Sequence, residues 1–523
     1  MAMEMGGWRG ILIWGVVLSL AHVMAKIARA VWWRPRQHTR CFEAQGMRGP
    51  SYKLLNGNLP EMMRMMDEAK SKPMEFSHRI VPRVLPHYYT SVNKYGRFFV
   101  YWFGTKAKVN IPDVELVKEI LSTKFGHYEK PPLNRITRQL MGGGLGSLDG
   151  EEWAKHRRII NPAFYIEQLK GMVPTVAASA SDMIKRWKER IGYDSEGEIE
   201  VSKEFRDLTA DIISRTAFGS SYVEGKHIFD MQVEQLNLII ESIRTVYIPG
   251  FGLLPTKKNR RLWKLGREIN RSSKVLIEGR ERTLSMDSSE SYRNDLLGIM
   301  VAKIKKEPGS PQNACMTVEE IIEECKFFFF AGHETSSALL TRTMVLLGMH
   351  QEWQEAARKE VVEVCGKDVP HNDTINQLKI VTMILNEALR LYTPAIQSSR
   401  HTYKGMKLGD FNIPAGIELS VPIIAIHHDP ELWGNDADEF RPQRFAEGAA
   451  KASKHPMAFM PFGRGPRACV GQNFAMIEAK VVLAIILQQF SFSVSPSYVH
   501  APATVATLQP QYGAQIIVHL LQN

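Results

Sequence analysis

A single uninterrupted helical pattern constrains the fold of this chain more than any other feature. Thr317 and Glu320 have the spacing of a capping box, in which two side chains satisfy free backbone N–H groups at the start of a helix. Helix-forming residues then continue to about His350 without a proline. Such a helix is roughly 50 Å long, enough to cross a whole domain. We therefore predict that the rest of the chain packs around it.

Shorter patterns predict a mainly α fold with small β-sheets. Helical spacing recurs over 175–190, 202–218, 226–246, 379–392 and 472–489, and short strand-like stretches occupy 97–103, 106–111, 402–408, 417–421 and two segments near the carboxyl end. Nothing rich in proline, glycine or serine divides the chain after residue 50. With 44% hydrophobic and 23% charged residues, a disordered, collagen-like or polytopic membrane protein is excluded. We expect one large domain over 51–523.

The amino terminus is typical of a membrane anchor. Residues 11–25 carry no formal charge, and Trp8, Trp32 and Trp33 flank them as aromatic residues do at membrane interfaces. One arginine precedes this apolar segment, and five basic residues follow it within 26–40, which places the body on the cytosolic side of the membrane. We predict a transmembrane anchor over 1–34 and a stiff, basic linker over 35–50.

A cleaved signal peptide is the alternative for this segment, because Val23 and Ala25 fit a cleavage site. The glycosylation sequons at Asn270 and Asn372 distinguish the two cases. A body in the lumen would be glycosylated at those positions, whereas a cytosolic body would not.

Charge and cysteine usage narrow the class of protein further. A net charge of +11 suits nucleic acid, an anionic membrane surface or an acidic protein partner, and does not choose among them. The five cysteines form no Cys-x-x-Cys pair, which argues against a disulfide framework or a zinc module. A reducing compartment fits this usage better.

The most informative cysteine is Cys469, which ends a glycine-rich loop over 461–471 just before a predicted helix. A thiolate at the amino end of a helix is favoured by the helix dipole, so this position suits a soft metal ligand. A buried structural cysteine is the plainer alternative. A dinucleotide-binding loop is excluded, because Pro466 interrupts the glycine pattern and no strand–turn–helix unit carries it.

The same loop resembles the haem-binding signature of the cytochrome P-450 superfamily, FxxGxRxCxG. Four further motifs of that superfamily occur in the same order as in its members. The matching residues are Trp153 and Arg157 (WxxxR), 331–335 (AGxET), Glu387 and Arg390 (ExxR), Arg444 (PxRF), and Phe462, Gly465, Arg467, Cys469 and Gly471 in the loop. The chain is thereby identified as a member of this superfamily.

The resemblance assigns a role to each motif. It implies that Cys469 is the thiolate ligand of haem b, in a loop shaped by Phe462 and Gly465, and that a local distortion at 331–332 opens space in the long helix. Thr335 and Glu334 would hold oxygen and relay protons, with a solvated helix charge as the alternative for Glu334. The propionate contacts would be Trp153, Arg157, Arg400 and Arg467, and the structural network Glu387, Arg390 and Arg444. Core packing is the alternative for Trp153, and His333 is incidental.

Outside these motifs, the chain is similar to a plant clan that includes brassinosteroid-inactivating hydroxylases and gibberellin, cytokinin and triterpenoid oxidases. The similar stretches are 31–35, 48–52, 82–84, 469–473, 497–502 and 510–515. Thr393, Arg464 and Ser336 depart from the clan's usual residues. The expected pocket residues are mostly small or apolar, which suits a hydrophobic steroid or terpenoid. They are Phe330, Ala331, Ile396 and Val505, with the polar Gln397 among their neighbours.

The resemblance implies a monooxygenase of the endoplasmic reticulum membrane that hydroxylates a lipophilic small molecule. It would use O2 and NADPH-derived electrons from the flavoprotein NADPH cytochrome P-450 reductase, and membrane lipid but no nucleic acid would be a partner. The cations at 155–158 are candidates for the reductase contact, and the apolar loop 247–255 for a membrane contact, with a solvated helix start as its alternative. The alternative functions are a haem-thiolate isomerase or dehydratase and a non-catalytic membrane haem- or lipid-binding protein.

Overall fold

The computed structural model describes residues 2–122, 127–133, 135–192, 195–219, 222–243, 254–286, 295–304 and 315–521. Its α-helices are Ala2–Ala28, Arg34–Glu43, Leu59–Lys70, Val81–Val84, Pro86–Tyr95, Val114–Ser122, Arg135–Met141, Gly150–Ile160, Ile166–Ile191, Val201–Phe218, Tyr222–Ile243, Lys257–Met286, Leu296–Ala302, Val318–Met349, Gln351–Cys365, Asn372–Gln377, Lys379–Leu391, Ile423–His427, Pro430–Trp433 and Gln472–Gln489. The mainly α fold is confirmed.

The helix Val318–Met349, hereafter the central helix, crosses the domain as predicted. Both bonds of its capping box are present: the Thr317 hydroxyl accepts from the Glu320 backbone N–H at 3.1 Å, and the Glu320 carboxylate accepts from the Thr317 backbone N–H at 2.8 Å. The helix is buried on nearly every side rather than along one stripe, as a helix at the centre of a large domain must be. It packs against Val201–Phe218, Lys379–Leu391 and Gln472–Gln489; the second of these carries Glu387 and Arg390, and the third directly follows the Cys469 loop.

Twelve short strands form four small sheets at the edges of the helical body among the described residues. A five-stranded sheet has the order β1-β2-β8-β5-β3, in which only β2 and β8 are parallel, a three-stranded sheet has the order β4-β12-β9, and β6-β7 and β10-β11 are hairpins. The strands are β1 Val100–Phe103, β2 Lys106–Asn110, β3 Tyr128–Glu129, β4 Glu196–Glu200, β5 Ser398–Thr402, β6 Met406–Leu408, β7 Phe411–Ile413, β8 Glu418–Val421, β9 Phe490–Val494, β10 Pro502–Thr504, β11 Leu508–Pro510 and β12 Gln515–Leu520.

The amino-terminal helix is long and apolar enough to cross a membrane, and none of its apolar window is buried in the body. The helix does not stop at a linker, however. A π-helical turn, Arg29–Trp33, leads into the helix Arg34–Glu43, and Phe42 and Met47 are buried in the core. The predicted stiff linker over 35–50 is therefore mostly a helix docked on the body. Pro35 cannot donate to the Val31 carbonyl four residues earlier, and that carbonyl accepts from the Tyr52 hydroxyl at 2.7 Å instead.

Two other boundaries differ from the prediction for local reasons. The helix expected over 175–190 begins earlier, at Ile166, and continues through Pro174. The prediction began after this proline because proline normally ends or kinks a helix. The strand expected over 402–408 divides into β5 and β6 at a bend over 403–404, just before Gly405. Most of the apolar loop predicted to touch the membrane, 247–253, lies outside the described residues.

Candidate active site

The loop that carries Cys469 is a tight turn held against its neighbours. The Cys469 backbone N–H donates to the Phe462 carbonyl at 2.9 Å, and Arg464 donates to the Phe459 carbonyl at 2.8 Å. Gly465 has a φ of +72°, and a Cβ there would collide with the Leu121 backbone carbonyl. Only glycine fits this position, both because of the left-handed backbone and because of the close approach.

Cys469 faces a cavity of about 450 Å³ that the central helix covers from the other side. Burial raises the pKa of its thiol, while the backbone N–H of Gly471 and the Arg157 guanidinium lower it. A thiol in this position becomes a thiolate when a metal takes the place of the proton. In the parts of the chain that the structure describes, no three His, Cys, Asp or Glu side chains come together to hold a metal. Among the described residues that line the cavity, Cys469 is the one side chain of these four types.

The cavity also has five basic residues on its wall. Arg464 is bonded within the cysteine loop, and the other four are Lys130, Arg157, Arg400 and Arg467. Burial, followed by the charges of Arg400 and Arg467, lowers the pKa of Lys130 to about 7 although Asp149 opposes this. Burial, followed by the charge of Arg467, lowers the pKa of Arg400 to about 10. Burial and the lesser effect of repulsion both disfavour positive charges that lack negative partners, so this wall suits a ligand carrying two carboxylates.

Each of the predicted propionate contacts is already positioned by the protein. Arg467 forms an ion pair with Asp149 and donates to the Leu148 carbonyl at 2.8 Å, and Arg157 donates to the Ala468 carbonyl at 2.8 Å. The guanidinium of Arg467 lies 4.6 Å above the Trp153 ring, so the indole supports an arginine as well as filling the core. Lys130 lies with these predicted residues but was not predicted from the sequence, because a single lysine before two prolines matches no motif.

On the opposite wall, one stripe of the central helix faces the cavity. Its members are spaced by three or four residues, as on one helical face: Phe327, Phe328, Ala331, Gly332, Thr335, Ser336 and Leu339. The resemblance implied a local distortion near Ala331 and Gly332, but the helix stays α-helical through this region. The Thr335 hydroxyl donates to the Ala331 carbonyl at 2.8 Å. The small side chains at 331 and 332, rather than an opened turn, make the space beside Thr335.

Glu334 is buried but does not line this cavity. Its carboxylate accepts from the Thr507 hydroxyl at 2.9 Å and from the Gln509 side-chain amide at 3.2 Å, which excludes a solvated helix charge. The neighbouring His333 ring bonds the Phe329 carbonyl at 2.6 Å within the core. Glu334 thus connects the central helix to the hairpin β10-β11.

Three of the four predicted pocket residues do not line this cavity. Phe330 points to the other side of the central helix, where it packs in a separate apolar cluster with Leu140, Ile239 and Leu262. Ile396 lies in an extended segment, where successive side chains alternate in direction, so its neighbours Ala395 and Gln397 line the cavity instead. Val505 is 45% exposed in the turn between β10 and β11. Ala331 lines the cavity as predicted, and the aromatic lining comes from Trp153, Phe164, Phe327, Phe328, Phe462 and Phe474.

The three residues of the predicted structural network meet behind the cysteine loop. Arg390 binds both oxygens of Glu387, at 2.7 and 2.8 Å, and both side chains are 0% exposed. Arg444 approaches the same carboxylate at 3.5 Å. Arg390 also donates to the carbonyls of His427, Ala437 and Glu439. The network therefore holds the segment 427–444 against the helix Lys379–Leu391.

The basic segment 155–158 is mostly engaged within the protein. Lys155 pairs with Glu320 at 2.7 Å, and the buried His156 ring bonds Glu324 at 2.6 Å. Of these four cations, Arg158 alone is exposed. The segment thus ties the helix Gly150–Ile160 to the central helix, and only Arg158 remains available to a partner.

We expect this tie to weaken as the pH rises. Burial lowers the pKa of His156, but the bonds and charges of Glu324 and Glu320 outweigh burial and raise it above 6.5. A raised folded-state pKa stabilises the protein fully below the unfolded value and ceases to do so once the pH passes the folded value. Urea unfolding of the wild type and of His156→Gln should show a difference in free energy of unfolding that becomes smaller as the pH rises above about 6.5. A constant difference up to about pH 9 would contradict the assignment.

The chain is similar to known proteins along nearly its whole length. A family model described as Cytochrome P450 matches residues 85–518. The chain is 49% identical over 506 residues to Cytochrome P450 CYP72A616 of Paris polyphylla (96% of this chain, 97% of that protein). It is 46% identical over 518 residues to Cytochrome P450 734A1 of Arabidopsis thaliana (98% and 97%), and 43% identical over 516 residues to 7-deoxyloganic acid hydroxylase of Catharanthus roseus (98% and 99%).

Proposed function

Because the chain belongs to the cytochrome P450 family, we propose that it hydroxylates a steroid or terpenoid, with a plant hormone such as a brassinosteroid as the leading candidate. The family uses thiolate-ligated haem, O2 and electrons supplied by a reductase. The observation that carries the proposal is the arrangement around one cavity: Cys469 on one wall, Thr335 on the other and a group of basic residues at the side.

The residues present fit a haem. Cys469 offers one soft ligand to an iron that the porphyrin already holds. Lys130, Arg157, Arg400 and Arg467 offer positive charge to the two propionates. Bound haem supplies the activation of O2, which thiolate donation favours. The protein supplies the orientation: the bonds of Arg157 to the cysteine loop and of Arg467 to Asp149 fix the basic side of the cavity before a ligand arrives.

On the oxygen side of the cavity, the Thr335 hydroxyl is the group placed to hold a water and donate a proton. Its hydrogen atom is now shared with the Ala331 carbonyl, from which it can turn toward the cavity. Glu334, one residue earlier, holds a carboxylate in a buried network with Thr507 and Gln509. We assign it the supply of protons toward Thr335 along the surface between the central helix and the hairpin β10-β11.

The walls of the cavity support an apolar substrate. Aromatic and aliphatic side chains dominate them, including Phe328, Ile213 and Leu339, and Gln397 is among the few neutral polar side chains. Such a site accepts a rigid hydrocarbon skeleton and orients it by a single polar group. A relative of similar length is named as the hydroxylase of 7-deoxyloganic acid, whose skeleton is a terpenoid.

The proposal is tested by reconstituting the purified chain with NADPH cytochrome P-450 reductase and screening steroids, triterpenoids and plant hormones. A substrate that shifts the haem spectrum should then yield a hydroxylated product only with NADPH and O2. A product formed without both would favour a haem-thiolate isomerase or dehydratase. Spectral shifts without any product would favour a non-catalytic haem- or lipid-binding protein.

The location follows from the amino terminus. We infer that the helix beginning at Ala2 anchors the chain in the endoplasmic reticulum membrane, with the basic residues that follow it, and hence the body, on the cytosolic side. Arg158 is the exposed cation of the segment 155–158 and is our candidate for contact with the reductase. Unmodified Asn270 and Asn372 in the membrane-bound protein would support this orientation.

Replacing Thr335 with alanine should uncouple the reaction while leaving haem binding intact. Positioned proton donors contribute about 10²–10⁴-fold, and a water that replaces the hydroxyl recovers part of this, so we expect product per NADPH to fall about tenfold. Hydrogen peroxide should rise in compensation. Thr343→Ala is the matched control. The Thr343 hydroxyl also donates to the carbonyl four residues earlier, that of Leu339, at 2.9 Å, but Thr343 does not line the cavity. Unchanged coupling in Thr335→Ala would refute the assignment.

A further inference from the structure

A second cleft, of about 560 Å³, lies where the amino-terminal helix joins the body. It shares no lining residue with the cavity at Cys469. One wall is the helical segment from Trp32 to Glu43, and the other is formed by residues 47–54 and strand β1. The Tyr52 hydroxyl donates to the Val31 carbonyl at 2.7 Å, so the two walls are bonded to each other.

The floor of this cleft is apolar and its rim is basic. Phe42, Met47 and Trp102 are buried at its floor. The rim carries the guanidiniums of Arg36, Arg40 and Arg48 with the hydroxyl of Ser51. An occupant must therefore have an anionic end and an apolar end.

The three arginines lack acidic partners. In the portion of the chain that the structure describes, no carboxylate lies within 4.0 Å of their guanidiniums. Among the described residues that line the cleft, Glu43 is the one acidic residue, so three positive charges face one negative charge. Arg36 and Arg40 are four residues apart on one helix face, and Arg36 lies 3.9 Å over the Trp32 ring, which holds its charge toward the cleft mouth.

The position of the cleft identifies the source of the anion. Trp32 and Trp33 are 48% and 59% exposed at the end of the apolar helix, as expected of aromatic residues at the level of lipid headgroups. We propose that the cleft binds one anionic glycerophospholipid, with the phosphate on Arg36, Arg40 and Arg48 and the first part of its acyl chains on the apolar floor. The excess of positive charge favours a phosphate monoester, as in phosphatidic acid, which carries up to two negative charges. The proposal rests on the membrane anchoring inferred above.

The test uses the full-length haem-loaded chain in detergent and dihexanoyl phosphatidic acid as the probe, followed by microscale thermophoresis. The double variant Arg36→Gln/Arg40→Gln should weaken binding about 30-fold, from the loss of two cations near the headgroup. The matched control is Arg29→Gln/Arg34→Gln, which removes two cations from the same helical segment that do not line the cleft. The control should change binding less than about threefold.

Four outcomes would overturn the proposal. Equal losses in the two double variants would show general attraction to a basic helix. Equal binding of dihexanoyl phosphatidylcholine would show that net negative charge is not recognised, and equal binding of glycerol 3-phosphate would point to a soluble phosphate compound. Flotation with neutral vesicles tests the anchoring separately, since a wild-type chain that stays in solution would overturn both inferences. Haem spectra of both variants report whether the body is intact.

Discussion

The Cys469→Ala protein should form no sulphur-ligated haem complex and no hydroxylated product. Cys469 alone among the five cysteines lines the cavity with Thr335. In the described residues, no cluster of His, Cys, Asp or Glu offers another metal site. Loss of the Cys469 sulphur therefore removes the protein's one strong bond to the iron. It also removes the thiolate donation on which O2 activation depends. Reduction and addition of carbon monoxide would report this as loss of the absorption band typical of sulphur-ligated haem.

Two controls separate this effect from a loss of folding. Cys469→Ser keeps the size of the side chain but replaces sulphur with a poorly ionised hydroxyl, so haem bound there should show a spectrum without thiolate character. Cys41→Ala changes a half-buried thiol outside the cavity and should leave the spectrum unchanged. A persistent sulphur-ligated band in Cys469→Ala would mean that another group binds the iron, and the whole assignment of the site would fail.

Sequence patterns predicted the elements that depend on local chemistry. The capping box at Thr317 and Glu320 is formed as predicted, and the helix expected over 472–489 has those bounds. Both signals act within a few residues, because caps satisfy nearby backbone N–H groups and helical spacing exposes one face. The motif order also identified the family, since each motif keeps its spacing whatever surrounds it.

Side-chain direction was harder to predict. Phe330 and Phe328 are both apolar residues next to the AGxET segment, yet Phe328 lines the cavity and Phe330 faces another cluster. Two residues correspond to about 200° around a helix, so adjacency in sequence cannot replace the position on the helix face. Lys130 was missed for the opposite reason, because its role depends on Arg400 and Arg467, which are remote in sequence. The docked helix Arg34–Glu43 likewise depends on contacts of Phe42 that no local pattern shows.

Replacing Arg390 with leucine should prevent the protein from folding into a haem-binding form. The change leaves the fully buried Glu387 carboxylate without its bidentate partner, and three backbone carbonyls, at 427, 437 and 439, without a donor. Removing one partner of a buried ion pair costs about 3–5 kcal/mol, and each carbonyl left without a donor adds ~1–3 kcal/mol. Such a sum approaches the roughly 5–15 kcal/mol by which whole domains are stable.

The readouts are the fraction of expressed protein that is soluble and its haem content. Arg390→Lys keeps the charge but lacks the planar fork that reaches Glu387 and the three carbonyls together, so it should rescue little. Many buried ion pairs can be replaced by two apolar residues without loss of stability, but the double variant Glu387→Leu/Arg390→Leu should also fail to fold. The three backbone carbonyls would lose their donor. The Arg441 backbone N–H, which donates to Glu387 at 2.9 Å, would lose its acceptor. Arg64→Leu is the contrasting control: its bond to Glu68 is exposed, and its loss costs at most ~1 kcal/mol. A soluble, haem-loaded Arg390→Leu protein would show that the packing of 427–444 does not depend on this network.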